Sequence, residues 1–142
     1  MTTSEFLARE VRLALTSVGH DVSIDLRKLA GEKNLTDIWL ELVEDVEAPE
    51  VLISHADGNP YCRIVAGEYA FEAVTTSRVP EFVRKLLTGD VSLVVERALL
   101  RKRLVLTVEV AGDDYSSNVP LTGDPLDGWE EQALQRGKRP ES

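Results

Sequence analysis

Residues 50–76 read EVLISHADGNPYCRIVAGEYAFEAVTT, and the fold hangs on them. Asp57, Gly58, Asn59 and Pro60 each favour a turn conformation, so they punctuate two extended runs. Gly67-Glu68 fits a two-residue type II′ loop, with glycine first where φ must be positive. Such a loop fixes the pairing. Ala66 then faces Tyr69, Ile64 faces Phe71 and Cys62 faces Ala73, while Arg63 meets Glu72 on the other side. A four-residue loop at 57–60 sets Ile53 against Ile64 and Val51 against Ala66. Antiparallel strands result, with a core face of Val51, Ile53, Cys62, Ile64, Tyr69 and Phe71.

Upstream, LTDIWLELVED (35–45) fits two templates. Leu35, Ile38, Trp39, Leu42, Val43 and Val46 make a helical stripe, yet Ile38, Leu40 and Leu42 also alternate with their neighbours. The strand is preferred, because sequential strands tend to pair. In 20–34, VSID suits a short strand or a helical turn, and LAGEKN reads as loop. The N-terminal segment predicts a helix, with TTSE as a capping box of Thr2 and Glu5. Its apolar face holds Phe6, Leu7, Val11, Ala14, Leu15 and Val18, and Gly19 suits a left-handed stop.

Downstream, VPEFVRKLLTGD (79–90) predicts a helix crossing the sheet. Pro80 lies in its first turn, Gly89 at its end, and Phe82, Val83, Leu86 and Leu87 share a stripe. VSLVVERALLRKRLVLTVEV (91–110) predicts strands at 91–97 and 102–110 around ALLR. One register sets Val95 on Leu104, Leu93 on Leu106 and Val91 on Val108, and also Glu96 on Arg103 and Ser92 on Thr107. A helix through 93–103 competes, but β-branched residues on both sides weigh against it. AGDDYSSNVPLTGDPLDG (111–128) reads as loop, and Asp127 with Glu130 opens a short closing helix.

The expectation is a single α+β domain over residues 1–136. It comprises an N-terminal helix, an antiparallel sheet of about five or six strands interrupted by a helix, and a C-terminal loop and short helix. Residues 137–142 form a disordered tail. A chain of 142 residues with 43% hydrophobic content suits one core. The single cysteine, Cys62, excludes an internal disulfide and a multi-cysteine zinc site. No signal-like start or long apolar run is present, which places the chain in the cytoplasm and away from membranes. A net charge of -9 argues against nucleic acid as partner.

Charge is unevenly distributed. From Asn34 through Cys62 there is no Lys or Arg, and Asp37, Glu41, Glu44, Asp45, Glu47, Glu50 and Asp57 give a local charge of -7. From Arg78 through Arg103 the local charge is +4. The acids read either as a solvated edge that discourages aggregation or as a docking face for a basic protein. Glu41, Glu44, Asp45, Glu47 and Glu50 are the candidate contacts. Leu99 and Leu100 sit in a cationic turn with Arg97, Arg101, Lys102 and Arg103. They either fold back onto the core or, with Arg101, anchor a partner. A homodimer joining the oppositely charged segments is a further possibility.

Catalytic signals are thin. His55 and Cys62 fall opposite each other, and such a pair can generate a thiolate, although Cys is commonly buried. Asp113, Asp114, Asp124 and Asp127 lie in loops, where aspartate is ordinary turn chemistry rather than a metal site. Neither cofactor nor metal is expected. The order helix, strands, helix, two strands, helix loosely resembles the small chaperones of secretion systems. In charge and size the chain also resembles toxin-neutralising immunity proteins. Both resemblances imply a non-catalytic binding role.

Overall fold

A computed structural model describes residues 3–29, 35–44 and 47–137. The expected Thr2 cap, the loop at 30–34, Asp45 and the tail beyond 137 lie outside the described residues. Helix α1 (Thr3–Thr16) leads into a meander of β1 (Val22–Lys28), β2 (Leu35–Leu42), β3 (Val51–Ala56), β4 (Tyr61–Ala66) and β5 (Tyr69–Thr75). A 3₁₀ turn and α2 (Val79–Thr88) follow, then β6 (Ser92–Ala98), β7 (Arg101–Val110), β8 (Asp113–Pro120) and α3 (Gly128–Gly137). The α+β class and the order of helices are as expected. The strands form two antiparallel sheets, β1-β2-β3-β4-β5 and β6-β7-β8.

The decisive stretch pairs largely as its turns dictate. Val51↔Ala66, Ile53↔Ile64, Ile64↔Phe71 and Ala66↔Tyr69 are all present, and Gly67 takes φ 57°. Arg63 and Glu72 pair at 3.0 Å. The correction lies at Cys62, which faces Val74 rather than Ala73. An extra residue in β5 makes a bulge, which turns Glu72 and Ala73 both outward and brings the larger apolar Val74 into the core. Segments 22–28 and 35–42 are strands, and the buried side of β2 is Thr36, Ile38, Leu40 and Leu42.

Helix α1 buries Ser4, Leu7, Ala8, Val11 and Leu15, a face rotated from the expected one, with Phe6 and Val18 exposed. Ser4 explains the rotation, because its hydroxyl lies 3.2 Å from Nδ1 of buried His55 on β3. A polar group buried without such a partner is costly, so the small polar residue faces inward and the phenylalanine does not. Helix α2 ends on Gly89 at φ 80°, as its sequence predicts, and buries Phe82, Val83, Leu86 and Leu87.

Strand β8 is the element that the sequence conceals. Asp, Ser and Asn disfavour strands. Yet Thr107 and Ser116 join hydroxyls at 2.9 Å across β7 and β8, and the Ser117 hydroxyl accepts the Ala70 N–H at 3.0 Å from β5. The turn before it is Ala111-Gly112, with φ 54° and 83°. Aromatic edges connect the layers. Phe82 of α2 meets Phe71 of β5 at 4.9 Å and Tyr115 of β8 at 5.5 Å between ring centres. Helix α3 closes one end, with Trp129 against Tyr69 at 5.7 Å. The reach-back half of its capping box forms, since Glu130 accepts the Asp127 N–H at 3.0 Å. Among the described residues no helix is long and apolar enough to cross a membrane.

Candidate protein-docking surfaces

Side chains alternate across a strand, so the burial of Ile38, Leu40 and Leu42 turns Asp37, Trp39 and Glu41 to the opposite face of the five-stranded sheet. There Trp39 is 41% exposed. It faces Asp25 on β1 and half-buried Leu52 on β3. Glu41 faces Ser23, and Asp37 lies between Arg27 and Ser54. A shallow concavity beside the indole is lined by Ser23, Asp25, Arg27, Leu40, Glu41 and Glu50. The Ser54 hydroxyl donates to Asp37 at 2.8 Å, and Arg27 pairs with Asp25 at 2.9 Å.

An exposed indole flanked by carboxylates has the chemistry to receive a guanidinium or ammonium group. The ring attracts the cation over its face, and the carboxylates hold its N–H donors. The sequence reading names Trp39 only within the 35–46 stripe and not among the candidate contacts. Its alternation with Ile38 and Leu40 is the pattern that turns it outward.

The acidic run divides in three dimensions. Glu41 and Glu50 belong to the Trp39 face. Glu44 instead accepts the Asp21 N–H at 3.0 Å and meets His20 at 3.5 Å. The Asp21 bond is the main cause that holds its carboxyl below the usual range. The Glu47 carboxylate lies against Gly128, where a Cβ would displace it. Placing a carboxylate at the first turn of α3 suits the helix dipole. Glu44 and Glu47 thus lie against other segments, apart from the concavity beside Trp39, and both remain exposed.

The second surface is the β6–β7 tip. The predicted register is present: Ser92↔Thr107, Leu93↔Leu106, Val95↔Leu104 and Glu96↔Arg103. The turn is the two-residue Leu99-Leu100, with Leu99 at φ 54°. Leu99 and Leu100 are 98% and 101% exposed, so neither folds back onto the core. Arg97, Arg101 and Lys102 surround them and are exposed, while Arg103 pairs with Glu96. Val94 and Val95 extend the apolar surface down both faces of the hairpin.

Cys62 and His55 do not form a nucleophilic pair. Cys62 is buried, its Sγ lies 3.9 Å from the Thr76 hydroxyl, and burial pushes its thiol up. His55 engages Ser4. Asp113 and Asp114 lie in β8 rather than in a loop, with Asp113 paired to Arg78, and Asp124 accepts from Thr122 at 3.2 Å. Among the described residues no three His, Cys, Asp or Glu side chains gather as a metal site. Comparison with protein-family models, with curated proteins and with solved structures returned no match, so chemistry of the surface alone must carry any reading of function.

Proposed function

We propose that this chain is a non-catalytic binding protein of the cytoplasm that docks a basic protein on the outer face of its five-stranded sheet. The role is of the immunity-protein or secretion-chaperone kind. The observation that carries the reading is Trp39, exposed on β2 beside the edge strand of the sheet, with Asp25, Asp37, Glu41 and Glu50 around it. Aromatic side chains dominate binding energies at interfaces, and surrounding charges speed encounter and select the partner's sign.

The test is capture and identification of partners from the native host. Trp39→Ala is set beside Glu41→Gln/Glu50→Gln, and association rates of the purified partner are measured at several salt concentrations. The indole change should accelerate dissociation. The charge changes should slow association and flatten its salt dependence. A partner that binds both variants as it binds the wild type refutes this surface as its site.

A further inference from the structure

Two exposed leucines on a turn and a carboxylate-ringed indole on a sheet are complementary in both chemistry and sign. We propose that the Leu99-Leu100 tip of one copy docks on the Trp39 face of a second copy. This rests on the reading of that face given above and supplies it with an occupant.

Three observations converge on the tip. Leu99 adopts φ 54°, a conformation that two-residue hairpin turns ordinarily give to Gly, Asn or Asp. Both leucines are wholly exposed, so no contact within the chain accounts for a branched apolar side chain at that position. A strained backbone that presents side chains outward is a feature of contact sites. The surrounding Arg97, Arg101 and Lys102 are exposed and give the tip a cationic collar on a chain whose net charge is -9.

The receptor must therefore be acidic, must offer apolar surface and must admit a narrow projection. The Trp39 face meets the first two conditions with Glu41 and Glu50 beside the indole, next to Asp25 in its pair with Arg27, and its concavity meets the third. Within one copy the tip remains bare, so the same chain does not cover it. An anionic bilayer would satisfy the leucines and the collar, but it would leave the indole face without a role and would meet a strongly acidic body. The second copy accounts for both surfaces at once. Because the two patches differ, the contact is head-to-tail, and it either closes into a ring or pair or extends.

Sedimentation equilibrium of the full chain tests this between roughly 10 µM and 1 mM, at low and high salt. Weight-average mass should rise with concentration at low salt and less at high salt. Leu99→Ser/Leu100→Ser and, separately, Trp39→Ser should each weaken self-association at least about tenfold, as loss of a central anchor does. All three positions are partly or wholly exposed, so the variants should keep the wild-type circular dichroism spectrum.

The decisive step is mixing the two variants. Each retains the half that the other lacks, so the mixture should recover a complex that neither forms alone. A wild type that stays at monomer mass throughout overturns the proposal. So does a mixture that fails to recover association, and so does a Trp39→Ser variant that associates as wild type does, because tips would then be meeting tips. Leucine-dependent co-sedimentation of monomeric protein with phosphatidylserine vesicles also overturns it, in favour of a lipid surface. Any such failure leaves the docking face itself separately testable, since the tip variant should still capture a basic partner as wild type does.

Discussion

Leu99→Gly should stabilise the fold, although it deletes a whole leucine side chain. An L-residue in the left-handed region costs roughly 1–2 kcal/mol, and glycine occupies it freely. The side chain is 98% exposed, so its removal forfeits almost no burial. Against the relief stands the larger entropy loss of glycine on folding, about 0.5–1 kcal/mol. The balance is a gain of about 0.5–1 kcal/mol. Urea unfolding reads it as a rise in midpoint of about 0.2–0.5 M, taking a slope of about 2 kcal/mol/M.

Gly112→Ala is the matched control. It sits at φ 83° in the next hairpin, with nothing within 4 Å of an added Cβ. Only backbone conformation can act there, so it should lose about 0.5–1 kcal/mol. A fall in midpoint for Leu99→Gly would refute the reasoning and would mean that the leucine supports the folded hairpin.

Other expectations concern the core and the ties between segments. Phe82→Ala removes a fully buried ring that meets both Phe71 and Tyr115, and should cost about 3–5 kcal/mol in the same unfolding assay. Glu44 has a lowered pKa in the folded state, so its charged form contributes stability above the ordinary value of 4.5, and that contribution is lost as pH falls through the folded value. Unfolding of wild type and Glu44→Gln should accordingly differ at neutral pH and converge in acid; a constant gap would show that the Asp21 and His20 contacts do not act through charge. Cys62, buried and with its thiol pushed up, should react with iodoacetamide at pH 8 at least about 100-fold slower than in urea-unfolded protein, and equal rates would show an open path to the sulfur.

What the sequence discloses depends on whether local chemistry or distant packing decides a position. Gly67 and the Asp57–Pro60 turn dictate local geometry, so most pairs of β3, β4 and β5 follow from them. The bulge opposite Arg63 does not follow, because two adjacent small apolar residues, Ala73 and Val74, leave the inward choice to the core. The α1 face is misjudged by size, since Phe6 outweighs Ser4 in any apolar tally while His55, far along the chain, decides for Ser4. Strand β8 has weak propensity and exists through bonds to β7 and β5. The turn at the tip follows from the hairpin register, whereas the outward direction of its leucines does not and is a finding of the structure. The Trp39 face requires β1 and β3 to be placed beside β2, and segment charge alone does not set Glu41 and Glu50 apart from Glu44 and Glu47.

The residues around the indole point away from the side of the five-stranded sheet that carries the buried core. On the proposed docking role, recognition and folding fall to different sets of atoms on the same strands. Ser23, Asp25, Glu41 and Glu50 can drift or be randomised while Ile38, Leu40 and Val51 keep the scaffold intact. Such a sheet is an evolvable plate, on which a change of client requires only new lettering on one side.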